Sequence, residues 1–211
     1  TEVPLFKSDQ LPTDDLKVND MVKVYVSGVS AADRRPVLKI SRTHRDLIKR
    51  LFELEVPEIY QGVVEIKAIS REAGQRSKIA VISNDENVDA LGSCIGPQRS
   101  RITSICNELG GEKIDIILWS EDPLEYISKA LSPAKVLKVS ALEGEKVARV
   151  VVPDDKLSLA IGREGQNVRL AHRLCGWKID IKSESQAREL EEKREEILWL
   201  MRSLDFSPES S

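Results

Sequence analysis

Residues 160–171 read AIGREGQNVRLA: two apolar residues, Gly162, two charged residues, Gly165, and then an amphipathic run. A glycine turn that feeds a helix N-terminus offers free backbone N–H groups and the positive end of a helix dipole to an anion. Gly162 and Gly165 carry no side chain and admit a phosphate close to the main chain, while Arg163 and Arg169 bring positive charge to the same place. With eleven glycines in 211 residues the spacing by itself arises readily by chance, and the bland alternative is a plain turn between two helices. The G-x-x-x-x-G-K-[ST] loop of nucleotide-binding proteins and the dinucleotide pattern G-x-G-x-x-G are both absent from the chain.

The stretch has a copy. Residues 94–105, CIGPQRSRITSI, repeat the apolar residue before glycine, the glycine itself, and the apolar residue six positions later. Downstream, GGEKIDIILW (110–119) corresponds to CGWKIDIKSE (175–184) at an offset of 65, while Gly96 and Gly162 are 66 apart. A duplication with a one-residue slip accounts for both offsets.

Periodicity assigns the elements of each copy. In the first, HRDLIKRLFEL (44–54) places Leu47, Ile48, Leu51 and Leu54 on one helical face, and Pro57 closes that helix. GVVEIKAIS (62–70) and SKIAVIS (77–83) alternate like strands around the turn REAGQR, a hairpin pattern. VDALGSCIG and RITSICNEL follow as helices and KIDIILW as a strand. The second copy opens at Asp122-Pro123-Leu124-Glu125, where Asp caps, Pro suits the first helical position and Glu holds the capping-box position. KVLKVSAL and KVARVVV are strands around Glu143-Gly144-Glu145, DKLSLAIG and QNVRLAHRL are helices, and WKIDIKS is the last strand. The order αββααβ therefore occurs twice, with the glycine loop between the fourth and fifth elements each time.

The net charge is −3, but residues 183–211 carry eight acids against four bases, so the rest of the chain is mildly basic. DRRPVLKISRTHRDLIKR (33–50) has seven Lys and Arg against two Asp, and REAGQRSK (71–78) adds +2. Such runs form solvated surface or an electrostatic footprint for a polyanion. In SESQARELEEKREEILWLMRSL (183–204), Leu190, Arg194, Ile197, Leu198 and Met201 follow helical spacing, giving an acidic amphipathic helix with a short apolar face.

Several classes are excluded. No stretch approaches the ~20 apolar residues of a membrane span, and TEVPLFKSDQ lacks the features of a signal peptide, so a cytoplasmic address is expected. Cys94, Cys106 and Cys175 are odd in number, widely spaced and set in apolar helical pattern, as core thiols are. His44 and His172 have no partner at ligand spacing, so no metal or cofactor site is expected. The carboxylates fall mainly on solvent faces and caps, and no nucleophile motif includes a base, so no catalytic residues are assigned.

The doubled unit resembles the type II KH domain, whose glycine loop clamps the backbone of about four single-stranded nucleotides. LFELEVPEIYQGVVEIKAISREAGQRSKIAV, NELGGEKIDI, ALSPAKVLKV and LSLAIGREGQNVRLAHRLCGWKIDIKSE, in this order, closely resemble the NusA family of bacterial transcription factors, over about Thr1 to Arg188. The resemblance implies an α+β fold: a partial S1-type OB β-barrel over residues 1–43, a first KH domain over 44–120, a second over 121–183, and an acidic tail helix over 184–211. MVKVYVSGVS and PVLKISRT are then the last strands of the barrel, and the chain is a fragment whose opening strands and polymerase-binding domain precede Thr1. It implies a non-enzymatic, monomeric module that holds nascent single-stranded RNA during pausing, termination and antitermination. RNA polymerase and other transcription factors would be met through regions outside this chain, and no membrane is involved. An RNA-processing enzyme or a ribosome-associated protein is the alternative, disfavoured by a tandem KH pair behind a partial barrel.

The RNA-binding candidates are Gly162, Arg163, Glu164, Gly165, Gln166, Asn167 and Arg169 in the second loop and Gly96, Pro97, Gln98, Arg99, Ser100 and Arg101 in the first, with Arg76, Lys78 and Arg42 from the basic stretches. Aromatic residues make up only 4% of the chain, so backbone clamping and base-edge hydrogen bonds, not stacking, are expected to carry recognition. Arg99 stands where the family pattern has its second glycine. Its side chain either obstructs a phosphate and strains a positive φ by ~1 kcal/mol, or replaces the lost backbone contact with a charged one. The second loop is expected to dominate. The tail helix either serves solubility or packs loosely on the second unit, or it is a docking helix or an acidic mimic that competes with RNA.

Overall fold

The computed structural model describes residues 2–32, 35–142 and 144–205; Thr1, residues 33–34, Glu143 of the second hairpin turn and residues 206–211 lie outside the description. Strands β1 (Tyr25–Ala32) and β2 (Arg35–Ser41) form an antiparallel two-stranded ribbon. The first repeat then runs α1 (Arg45–Glu55), α2 (Pro57–Tyr60), β3 (Val64–Glu72), β4 (Arg76–Ser83), α3 (Ala90–Ile95), α4 (Ser100–Glu108) and β5 (Lys113–Leu118). The second runs α5 (Pro123–Ala130), β6 (Lys138–Ala141), β7 (Val147–Val152), α6 (Leu157–Ile161), α7 (Gln166–Cys175) and β8 (Lys178–Ser183), and α8 (Glu184–Asp205) closes the described chain. Each repeat builds one three-stranded sheet, ordered β3-β4-β5 and β6-β7-β8, with an antiparallel hairpin and a parallel third strand at the edge.

Local chemistry sets the helix ends. His44 caps α1, its Nδ1 accepting from the Asp46 N–H at 3.1 Å, and Asp89 and Asp122 cap α3 and α5 through the Leu91 and Leu124 N–H groups at 3.0 Å. The expected capping box at α5 is not formed: Ser120 Oγ takes the Asp122 N–H at 3.2 Å, while Glu125 accepts from Ser120 and Lys129. Pro57 ends α1 as its missing N–H requires, yet it also starts the short helix α2, where a first-turn proline loses no hydrogen bond. Leu47, Ile48 and Leu51 are buried as the periodicity predicts, but Phe52 joins them, swinging the buried face away from Leu54, which is 71% exposed.

The central strand of the first sheet has two interiors. Ile79 and Val81 point into a core with Leu47, Ile48, Leu51, Phe52 and Ile105. Ala80, one position out of phase, points the opposite way into the second core with Ile117, Tyr126, Ile127, Ala130 and Leu131. The outer face of the first sheet is thus roofed by helices of the second repeat, and the two repeats share an apolar seam. The first half of α8 lies along β7 and β8, with the Ser185 N–H on Asp154 Oδ1 at 2.9 Å, and its later turns expose Ile197, Trp199, Met201 and Leu204.

Two arginines knit the first repeat to what precedes it. Arg42 is buried, with Nε on Asp14 Oδ2 at 2.7 Å, Nη1 on Lys23 O at 2.7 Å and Nη2 on Glu108 O at 2.8 Å. Arg71 donates from Nε to Glu112 Oε1 at 3.0 Å and from Nη1 to His44 O at 2.6 Å; Glu112 is fully buried and also accepts the Gly74 N–H at 3.1 Å. Breaking such a pair strands a buried guanidinium, so Glu112→Ala is expected to cost about 3–5 kcal/mol in urea unfolding. A loss below about 1 kcal/mol would show that the pair does not hold this fold.

Candidate nucleic-acid interface

The two glycine loops have one backbone conformation. In the second, Gly162 adopts φ 80° and ψ 167°, Glu164 φ 53° and ψ 28°, and Gly165 φ 73° and ψ 15°. In the first, Gly96 adopts φ 73° and ψ 169°, Gln98 φ 50° and ψ 30°, and Arg99 φ 63° and ψ 20°. Arg99 therefore occupies the left-handed region that its position requires, with the strain that a side chain brings there. Gly162 is required twice over: its φ/ψ is nearly exclusive to glycine, and a Cβ there would lie 2.6 Å from Asn167 N.

The loops differ in the donors they present. The N–H groups of Arg163 and Glu164 have no protein acceptor among the described residues, whereas the Gly165 N–H is held by Gly162 O at 3.1 Å. In the first loop Pro97 has no N–H, so only that of Gln98 is left at the matching positions, with Arg99 N–H on Gly96 O at 3.1 Å. Pro97, Gln98, Arg99, Ser100, Arg163 and Glu164 are exposed, as a surface that meets a ligand must be.

Other candidates have structural partners. Asn167 is buried and its Nδ2 donates to Ala160 O at 2.9 Å and Leu131 O at 3.1 Å, bracing the end of α6. Arg101, at the equivalent place, donates to Ser93 O at 2.7 Å and Glu58 Oε2 at 2.9 Å. Arg76 is forked onto Asp115, both contacts at 2.8 Å. Two basic-stretch candidates, Lys78 and Arg42, lie in the interior and not on this surface. Lys78 Nζ donates to Asp115 Oδ2 at 3.0 Å and Ser132 O at 2.7 Å, and Arg42 is enclosed by Asp14 and Glu108; each cation is buried because a carboxylate and carbonyls satisfy it.

The second loop does not stand alone. A cleft lined by Gln75, Arg76, Lys113, Pro133, Leu159 and Arg163 sets it against the hairpin turn of the first repeat. Gln166 Nε2 reaches across to Glu72 Oε2 at 2.9 Å and Gln75 Oε1 at 3.0 Å, and Arg169 reaches Glu72 through Nε at 2.6 Å and Nη2 at 3.1 Å. Pro133 also lines an apolar groove with Leu91, Ile116 and Val136 beside β5, so the two depressions adjoin. Strands β5 and β8, at the sheet edges, leave their outer N–H and C=O groups without a ladder. Lys113, Gln75 and Pro133 carried no motif in the sequence; only the docking of the repeats brings them to the loop.

Electrostatics follow this packing. The Arg169 hydrogen bond holds the Glu72 carboxyl below the ordinary glutamate value. Burial raises Asp115, but Arg76 and Lys78 outweigh it and its carboxyl is also held low; burial pushes the Lys78 ammonium down. Burial lifts the Cys94 and Cys175 thiols to about 12, leaving both as inert thiols at neutral pH. Among the described residues no group of three or more His, Cys, Asp and Glu could hold a metal, and no helix is long and apolar enough to cross a membrane.

Comparison with known proteins names this arrangement. The sequence model of the NusA-like first KH domain matches residues 42–119, and that of the NusA-like second KH domain matches residues 123–189. The chain belongs to the NusA family. It is 58% identical over 183 residues to the transcription termination/antitermination protein NusA of Halalkalibacterium halodurans, covering 87% of this chain and 48% of that protein. The corresponding protein of Bacillus subtilis is 56% identical over 183 residues, covering 87% and 49%, and that of Thermus thermophilus 48% identical over 191 residues, covering 90% and 49%. The chain spans about half the length of these curated relatives. The fold is thus a tandem of NusA-type KH domains, KH1 and KH2, of α+β class with a C-terminal helix.

The geometry of the KH2 loop ranks its two glycines. Gly162→Ala adds a clash to a glycine-only conformation and is expected to lower stability by roughly 2–3 kcal/mol, against ~1 kcal/mol for Gly165→Ala, whose new Cβ has room. Thermal unfolding of both variants checks the order; equal losses would contradict it.

Proposed function

We propose that this chain is the RNA-binding module of a transcription termination/antitermination factor and that it holds nascent single-stranded RNA across both KH domains. The supporting observation is the pair of loops with matching backbone dihedrals, each feeding a helix, presented by two domains that share a seam. An RNA phosphate at the KH2 loop meets the free N–H groups of Arg163 and Glu164 and the helix dipole of α7. Bases lie along the open edge of β8 at KH2, and at KH1 in the groove between Leu91 and β5. Every step in this reading is binding and positioning, so the module is non-enzymatic. RNA polymerase and other transcription factors are met through regions of the whole protein outside this chain, the module is a cytoplasmic monomer, and the β1–β2 ribbon is the end of an S1-type barrel spanning residues 1–43. KH1 then occupies 44–120, KH2 121–183 and the tail helix 184–211.

Because the clamp is the backbone, salt and strandedness test it. Lys78, a candidate from the basic stretches, is buried; the cations exposed at the loops and cleft are Arg99, Lys113 and Arg163. Three contacts give a slope of log K against log salt of about −2, from roughly −0.7 per phosphate on single strands. Filter binding over a salt series is expected to give this slope, with weaker binding to duplex. A flat slope or equal duplex binding would refute the clamp.

The free N–H count ranks the loops. Arg163→Asp with Glu164→Asp is expected to weaken RNA binding about tenfold more than Pro97→Asp with Gln98→Asp, a difference of about 1.4 kcal/mol. Equal damage would show that the KH2 loop does not lead.

A further inference from the structure

Glu72 ends β3 in KH1, yet its carboxylate faces KH2. Oε1 takes Arg169 Nε at 2.6 Å, and Oε2 takes Arg169 Nη2 at 3.1 Å and Gln166 Nε2 at 2.9 Å, with Arg173 Nη1 at 3.7 Å from Oε1. The Glu72 side chain is 15% exposed, so these charges are partly withdrawn from water. A guanidinium held on one edge by a bidentate carboxylate has its remaining N–H directions fixed. The free edge of Arg169 is aimed at the loop, where Nη1 donates to the carbonyl oxygen of Glu164 at 3.1 Å.

That carbonyl is the one whose direction matters. Glu164 is a non-glycine residue at φ 53°, a conformation that costs ~1 kcal/mol or more, and the brace holds its carbonyl in that orientation. Rotation of the peptide between Glu164 and Gly165 would swing the carbonyl oxygen from its place and set a negative dipole beside the anion site. KH1 has no such brace: the residue equivalent to Arg169 is Thr103, and among the described residues no side chain donates to the Gln98 carbonyl. One loop is held from the neighbouring domain and the other is not.

We propose that Glu72 is a positioning residue for the KH2 phosphate loop: through Arg169 it lets KH1 set the loop geometry with which KH2 binds RNA. This rests on the RNA-binding reading above. It also runs against simple charge counting. Glu72 is an anion near an anion site, and removing it should, by charge alone, tighten RNA binding and steepen the salt slope. Positioning demands the opposite sign.

A double-mutant cycle separates the two. The proteins are the wild-type chain, Glu72→Gln, the loop variant Arg163→Asp with Glu164→Asp, and the triple variant; the probe is a mixed-sequence single-stranded RNA of about 12 nucleotides, enough for two loops of about four each. Glu72→Gln is expected to weaken binding about fivefold or more with the intact loop and less than about twofold with the broken loop, without a steeper salt slope. Tighter binding with a steeper slope would overturn the proposal and make Glu72 a screen over the cleft. Unchanged affinity would overturn it too, as would an equal loss in both backgrounds, which marks a staple between domains. Should Glu72→Gln fail to fold, Arg169→Lys keeps the charge and loses the fork; it is expected to give the same loop-dependent loss, and wild-type binding would overturn the proposal. A wild type that does not bind the RNA refutes the reading beneath it, and is told apart by needing no variant.

Discussion

Lys78, a lysine without exposed surface, donates from one ammonium to Asp115 on the neighbouring strand and to the Ser132 carbonyl of the second domain. An ammonium is held away from water only where its donors are met, and here one of the acceptors belongs to the partner domain. The seam built around it, with Ala80 and Ile117 against Tyr126, Ile127 and Leu131, makes two small domains one body. The same register pairs Arg149 with Asp180 in KH2, where Nε and Oδ2 are 3.6 Å apart and α8 supplies only part of a roof. The central strand of the first sheet is therefore buried on both faces and that of the second on one face with the other partly covered, although both descend from one repeat.

The seam decides where the groups of the candidate interface stand. It brings the KH1 hairpin turn to the KH2 loop, so that Gln75, Lys113 and Glu72 surround a loop made by residues 162–165. It also removes Lys78 from the solvent, which lowers the number of cations this surface presents. The loops themselves depend little on their side chains. Gly-Pro-Gln-Arg and Gly-Arg-Glu-Gly reach the same dihedrals behind a glycine that closes the preceding helix and a residue that braces that helix end, Arg101 in one domain and Asn167 in the other; only the second loop has its carbonyl held as well, by Arg169.

Much of this was legible in the sequence. The repeat, the order αββααβ, the cap at Asp122 and the position of the loops follow from period and punctuation, which are local. The left-handed backbone at Arg99 could be inferred from the glycine it replaces. What stayed hidden was non-local. Lys78 and Arg42 read as surface charge because a basic residue carries no mark of the carboxylate that meets it from 37 residues away in the case of Asp115, or from 66 in the case of Glu108. Arg71 and Glu112, 41 residues apart, are silent in the sequence for the same reason. At the position matching Glu112 the second copy has Trp177, a mismatch that was the available signal of a buried acid. Glu72 and Lys113 gain their place at the site only when the two repeats dock.

The central claim is that the two KH domains tumble as one rigid body. Residual dipolar couplings of backbone amides in KH1 and KH2 of the free chain measure this directly. The account predicts that couplings from both domains fit a single alignment tensor in the geometry described here. Two tensors of different magnitude or orientation would contradict it, and with it the coupling of one loop to the other domain.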